Sequence, residues 1–208
     1  MSVAEGWPEP PYVIRTDRLT LRCYERTDVR RMHPIVLANL DALRRWMPWV
    51  RHEPLSLEER GAQLRAFRAR FDAGQDFIYG VFDRPGGAYV GGCGLHPRPG
   101  PRHLELGYWL IEDRWGRGLG TEIASALTRV GFEHMRAERM EIRVVPTNVR
   151  SVVIPRRLGF AEEGTMRRVL PTAVSSRRDD LIVFGMLAEE HASNPASKVW
   201  METEGFIG

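Results

Sequence analysis

Arg114-Trp115-Gly116-Arg117-Gly118-Leu119-Gly120-Thr121 follows an apolar segment, Leu104 to Ile111, that reads as a strand. The stretch opens a helical stripe of Leu119, Ile123, Leu127 and Val130. A strand, a glycine-rich turn and a helix N-terminus in that order make an anion site. Glycines let backbone N–H groups turn inward, and the helix dipole with its unpaired first-turn N–H groups favours negative charge. Arg114 and Arg117 add fixed positive charge in a forked geometry suited to phosphate. The expected ligand is therefore phosphorylated. A nucleoside-triphosphate loop needs G-x-x-x-x-G-K-[ST], and no lysine stands near. A dinucleotide fingerprint needs G-x-G-x-x-G and an acid about 20 residues on in a βαβ unit. Here the glycines fall as G-x-G-x-G, and the helix leads to Glu138-Arg139-Met140-Glu141.

A second segment narrows the reading. The alternating strand Met140-Glu141-Ile142-Arg143-Val144 precedes Asn148-Val149-Arg150-Ser151, and a short helix runs on to Arg157-Leu158-Gly159-Phe160. The order is strand, N-x-x-S, helix, [KR]-L-G-F. With R-x-G-x-G at the earlier strand-to-helix turn, it resembles the GNAT acyl-CoA N-acyltransferases, and specifically their RimJ/RimL-type branch. The strand Glu105-Leu106-Gly107-Tyr108-Trp109-Leu110 and the run Trp46-Met47-Pro48-Trp49 are similar to that branch too. The resemblance covers roughly residues 12 to 188, leaving 189–208 as a C-terminal tail.

The resemblance implies acetyl-CoA as acyl donor, no metal, and direct attack by a primary amine. It assigns pantetheine contacts to the backbone of Trp109, Leu110 and Ile111. The pyrophosphate falls to the N–H groups of Arg117, Gly118, Leu119, Gly120 and Thr121, which need no particular side chain. Asn148 matches the position whose side chain contacts the pantetheine arm; the plainer alternative is a turn or N-cap residue. Many relatives place a tyrosine acid four residues after the serine, and here that position is Pro155. Ser151 matches the serine that RimL-type relatives use instead, and it is the leading catalytic candidate, with an ordinary helix-start serine as the alternative. The RimL-type glutamate falls at Leu170, an apolar residue, a departure that puts both that base and that branch's ribosomal-protein substrate in question. Glu105 is the leading replacement base; otherwise it is a surface charge. His52, His96 and His103 sit in or beside loops and read as solvent-exposed. Trp46 and Trp49 either line the acceptor pocket or staple the core.

An α-amine ionises near pKa 8, and a lysine side chain near about 10.4, which would need about 3–4 kcal/mol of help at neutral pH. A site without a strong base therefore suits a peptide or protein N-terminus better than a lysine side chain. A small amine, such as an antibiotic or metabolite, is the competing acceptor. A non-catalytic acyl-CoA-binding module is the alternative of another class.

The chain has 208 residues, 43% apolar and 27% charged, the balance of one ordinary soluble domain. No apolar run suggests a membrane span, and Met-Ser-Val-Ala-Glu-Gly-Trp-Pro does not read as a secretory signal, so the expected compartment is the cytoplasm. Net charge is only +3, and basic residues interleave with acids, which argues against a nucleic-acid partner. Cys23 and Cys93 show no C-x-x-C spacing and read as buried thiols. A homodimer through the last strands is left open.

The layout reads as β-αα-βββ-α-β-α-ββ, an α+β, GNAT-like single domain with a mixed, mostly antiparallel sheet of about seven strands flanked by about four helices. Ile14 to Tyr24 is expected as one strand, Asp28 as the N-cap of one helix to about Met47, and Ser56 with Glu59 as a capping box ended by Gly74. Two strands join through Pro85-Gly86-Gly87. Residues 192–208 read as a polar tail, either disordered or docked on a partner.

Overall fold

The computed structural model describes residues 6–84, 86–172 and 178–205. Nine strands form a single sheet among them. In chain order they are β1 (Val13–Arg15), β2 (Leu19–Cys23), β3 (Phe77–Asp83), β4 (Tyr89–Pro97), β5 (His103–Leu110), β6 (Arg139–Val144), β7 (Ala161–Pro171), β8 (Arg178–Leu187) and β9 (Glu202–Glu204). The spatial order is β7-β8-β6-β5-β4-β3-β2-β1-β9. Every neighbouring pair is antiparallel except β5 with β6. Six helices accompany the sheet: α1 (Val29–Ala38), α2 (Leu40–Arg44), α3 (Leu57–Asp72), α4 (Leu119–Arg129), α5 (Val149–Arg157) and α6 (Ala188–His191). This is the expected mixed α+β domain, with counts that differ slightly from the expected ones.

The differences have local causes. The expected first strand is two, because Thr16 N–H donates to the Leu19 carbonyl at 2.9 Å and turns the chain back on itself. The expected first helix breaks at Asn39, whose side chain satisfies the Ile35 carbonyl (2.9 Å) and frees the backbone from helical geometry. Asp28 does not cap α1 through its side chain. It is buried against Arg22 (2.6 Å) and accepts from Glu25 N–H (2.8 Å). Pro85 lies outside the described residues.

The start of α3 is as expected. Ser56 and Glu59 form a reciprocal capping box, and the chain leaves the helix through Gly74 at φ +68°. Leu57 of the expected apolar stripe is exposed, whereas Leu64 and Phe71 are buried. The stripe of α4 packs as its period predicts, with Leu119, Ile123, Leu127 and Val130 all buried.

The last residues are not a loose tail. Ser125 of α4 donates to the Ala196 carbonyl (2.7 Å), Arg129 donates to the Val199 carbonyl (2.7 Å), and Ala196 is fully buried. The segment crosses the back of α4 and ends as β9, paired with β1. Residues 206–208 of the expected tail lie outside the described residues.

Strand parity sorts side chains to two faces. Leu104, Leu106 and Leu110 of β5, with Met140, Ile142 and Val144 of β6, join the large core that includes α4. On the opposite face Tyr24, Phe82 and Tyr89 pack with α1 (Met32, Val36) and α3 (Leu64). Cys23 and Cys93 are both buried and free, and burial pushes the Cys23 thiol up to about 12. No helix among the described residues is long and apolar enough to cross a membrane.

Candidate active site

The parallel pair β5–β6 is short. Registered partners are His103 with Arg139, Leu104 with Met140 and Glu105 with Glu141, and pairing stops there. Both strands continue, β5 to Leu110 and β6 to Val144, so they diverge and open the sheet at its centre. Ile111 N–H donates to the Val90 carbonyl at 2.9 Å. Backbone groups alternate in direction along an antiparallel strand, so Trp109 and Ile111 address β4 while Tyr108 and Leu110 address the opening. The Leu110 carbonyl already accepts from Trp115 Nε1 (2.9 Å). Of the three residues expected to contact pantetheine, Leu110 therefore offers its N–H, and Trp109 and Ile111 are engaged with β4. Tyr108 offers backbone groups that the sequence reading did not select.

The glycine-rich turn follows directly. Gly116 and Gly118 adopt φ +73° and +78°, and Gly118 is the N-cap of α4 with no side-chain cap. The left-handed Gly118 followed by the right-handed start of α4 points successive N–H groups into one concavity. The N–H groups of Leu119, Gly120 and Thr121 lie in the first helical turn, where no intrahelical acceptor exists. Such a concavity can receive an anion, and it falls within the stretch Arg117 to Thr121 that the resemblance assigns to the pyrophosphate. Arg117 is exposed beside it. Arg114 is not, since its guanidinium is tied to Asp83 at 2.7 Å. Two other arginines come from afar. Arg150 of α5 stacks over Trp115 with its Cζ 5.3 Å from the ring. Arg18, from the β1–β2 turn, donates to the Arg117 carbonyl (2.8 Å) and pairs with Glu122 (2.6 Å). Glu122 also accepts from Thr16 Oγ1 (2.6 Å), so this buried carboxylate staples the turn to α4.

We expect Gly118→Ala to weaken acetyl-CoA binding about tenfold, because a left-handed alanine costs about 1–2 kcal/mol and the loop would relax at the expense of its N–H aim. Isothermal titration checks this, and unchanged affinity would remove the loop from the ligand site.

Helix α5 brings the second segment to the opening. Asn148 caps it, with Oδ1 accepting from Ser151 N–H at 3.4 Å. The cap uses the oxygen of Asn148 and leaves its NH₂ group. Ser151 Oγ lies 3.2 Å from the Tyr108 hydroxyl, a bond that reaches from α5 back to β5. Burial pushes the Tyr108 phenol up to about 12, against the opposing effect of the Ser151 bond, so it holds its proton at neutral pH. A Cβ on Gly120 would meet Ile154 Cδ1 at 3.0 Å and Tyr108 Cε2 at 3.5 Å, so α4, α5 and β5 converge on this hydroxyl pair. Tyr108 stands in the strand motif of the sequence, but its partner is 43 residues away and no local pattern announces the contact.

The other sheet face carries the remaining candidates. Glu105 does not stand free. Its Oε2 lies 2.8 Å from Arg98 Nε and 3.3 Å from Arg143 Nε. Beside it, burial works to raise the Glu141 carboxyl, but Arg143 and Arg139 outweigh it and hold the group below the ordinary range. Trp49 packs on Trp109 (centroids 5.7 Å apart), and Trp109 in turn meets Tyr89 (6.0 Å). A Cβ on Gly92 would lie 2.8 Å from Trp109 Nε1, so the indole rests on bare backbone. Trp46 is half-buried and enters neither of these ring contacts. His96, read as solvent-exposed, is instead part-buried and hydrogen-bonded to Asp76 (2.6 Å). A cavity of about 770 Å³ lined by Val145, Pro146, Thr147, Arg168 and Asp179 lies where β6 leads into α5.

Comparison with known proteins identifies the family. The acetyltransferase (GNAT) domain matches residues 18–161. YdaF of Bacillus subtilis (strain 168), provisionally named a ribosomal N-acetyltransferase, is 26% identical over 176 residues, 84% of this chain and 93% of that one. The ribosomal protein uS5 alanine N-acetyltransferase of Escherichia coli (strain K12) is 28% identical over 161 residues, 74% of this chain and 81% of that one. Among solved structures, a RimL ribosomal L7/L12 alpha-N-protein acetyltransferase in complex with coenzyme A superposes with a TM-score of 0.77 at 22% identity, covering 86% of this chain and 99% of that one. With the opened sheet, the glycine cradle and the matched domain in one chain, the protein belongs to the GNAT family as an acetyl-CoA-dependent N-acetyltransferase similar to the RimJ/RimL-type enzymes.

Proposed function

We propose that the protein transfers an acetyl group from acetyl-CoA to the α-amine of a peptide or protein N-terminus. The observation that carries the reading is Glu105, whose Oε2 is shared between Arg98 and Arg143. The strand position facing the acceptor thus lacks a free carboxylate. An acceptor whose amine is readily neutral, with a pKa near 8 instead of near 10.4, suits such a site. The relatives named for ribosomal-protein N-acetyl transfer support the same class of acceptor.

Bound acetyl-CoA supplies an activated thioester. The α4 cradle would hold its pyrophosphate, Leu110 N–H and the Tyr108 backbone would pair its pantetheine arm along the open edge of β5, and the NH₂ group of Asn148 would be available to the same arm. Ser151, with Tyr108 behind it, donates a proton to the departing sulfur. Trp49 and Trp109 form an apolar wall beside the acceptor.

Coenzyme A release tests the acceptor. Peptides with a free N-terminus should turn over at least about tenfold faster than the same peptides with a blocked N-terminus and an internal lysine, given the 2-unit difference in amine pKa. Equal rates on the blocked lysine peptides, or release only with small amines, would refute the N-terminal reading.

A further inference from the structure

His96 ends β4 on the acceptor face, paired in register with Glu105 of β5. Its Nδ1 lies 2.6 Å from Asp76 Oδ1, in the turn between α3 and β3. A carboxylate on Nδ1 selects the tautomer that carries its hydrogen there and leaves a lone pair on Nε2. That second nitrogen leans over backbone. A Cβ on Gly94 would come within 3.1 Å of Nε2, and one on Gly107 within 3.5 Å. Gly94 and Gly107 are themselves cross-strand partners, so no side chain of this pair separates the imidazole from β5. Gly107 lies just beyond Glu105, where the pairing with β6 ends. Nε2 therefore sits at the apex of the opening, on the face opposite the Tyr108–Ser151 pair.

We propose that His96, oriented by Asp76, is the general base that takes a proton from the acceptor ammonium through Nε2, directly or through one water. The proposal rests on the amine-acetylation reading above and deepens it. The carboxylates beside it are taken up by arginines, and the imidazoles of His103 and His52 stand against other groups, while His33 lies on α1 with a buried, unpartnered Nδ1. Glu105 serves Arg98 and Arg143, and Glu141 serves Arg139 and Arg143. His103 has Nδ1 at 3.3 Å from the Pro99 carbonyl and Nε2 at 3.2 Å from Glu141. His52 takes the Arg51 Nε–H on its Nε2.

The step balances without a further reactant. Nε2 removes one proton from R–NH₃⁺, and the neutral amine forms the C–N bond to the thioester carbonyl carbon. The C–S bond breaks, the second proton on nitrogen passes to water, and the thiolate takes a proton from Ser151, which regains one from solvent while the imidazolium releases its own. Net, one proton reaches solvent. The imidazolium formed faces Asp76 and Glu105, with Arg70 standing behind the first (3.8 Å) and Arg98 and Arg143 behind the second.

The test uses the full chain, acetyl-CoA and a peptide with a free N-terminus. For His96→Gln we expect kcat/KM to fall about 100-fold or more, with acetyl-CoA affinity and melting temperature close to wild type. The limb of the wild-type pH profile set by the base should vanish, and the deficit should shrink for amines already neutral at the assay pH. Asp76→Asn, a change at a positioning residue, should lower kcat/KM less and displace that limb instead of abolishing it. A His96→Gln enzyme with wild-type kcat/KM and an unchanged pH profile would overturn the proposal. A wild-type protein that binds acetyl-CoA yet releases no coenzyme A to any amine would be a different result, overturning the transfer reading and the proposal with it.

Discussion

Ser151→Ala should lower kcat by about tenfold or more while leaving the dissociation constant of acetyl-CoA nearly unchanged. The Ser151 hydroxyl stands at the start of α5, where the opened strands end, and its partner is a buried phenol that keeps its proton. A hydroxyl so placed can pass a proton to a leaving thiolate and be replenished from Tyr108. It contributes nothing to the phosphate cradle, which is built from backbone N–H groups of another helix. Tyr108→Phe should show a smaller loss, and the double variant should lose less than the sum of the two, since both act on one proton. Stopped-flow or steady-state coenzyme A release reads kcat, and titration reads affinity. A Ser151→Ala enzyme with wild-type turnover would remove the acid role, and strict additivity would uncouple Tyr108 from it.

Arg60→Met should destabilise the fold by about 3–5 kcal/mol, the usual cost of orphaning a buried charge, and lower the melting temperature by roughly 6–20 °C for a chain of this size. Arg60 is fully buried and Glu53 1% exposed, joined at 2.7 Å. Glu53 also accepts from Leu55 N–H (3.0 Å), and Arg60 donates to Gln63 (2.8 Å). Removing the arginine leaves the carboxylate away from water with only one backbone donor. The double variant Arg60→Met, Glu53→Gln should recover much of the loss, because an amide is far cheaper to bury than a charge. Thermal and urea unfolding measure both. A single variant within 1 kcal/mol of wild type would show that the segment between α2 and α3 opens to water. The same pair anchors the turn carrying Trp49, so a partial loss of acceptor affinity should accompany the loss of stability.

Much of the site was legible in the chain because its signals are local. The glycines at 116 and 118, the apolar stripe of α4, the Ser56–Glu59 box and the Asn148 cap each depend on a few consecutive residues. Misreadings arose where a local signal competed with a distant one. Asp28 has the chemistry of a cap, but the Arg22 guanidinium claims its carboxylate. Arg114 has the charge for phosphate, but Asp83 claims it. In each case a charge-assisted bond in a half-buried setting outweighs the weaker local preference.

The sequence by itself determined most of the order of elements, the glycine turn that opens α4 and the helix that presents Ser151, since periodicity, capping and glycine geometry act over one or two turns of chain. Only the tertiary structure decided which side chains meet. The bond from Tyr108 to Ser151, the pairing of His96 with Asp76, the tie from Arg18 to Glu122 and the closing of β9 on β1 join residues at least 20 positions apart. Such contacts exist only after the sheet has set its register and opened between β5 and β6. No short stretch of sequence carries the free energy that selects them.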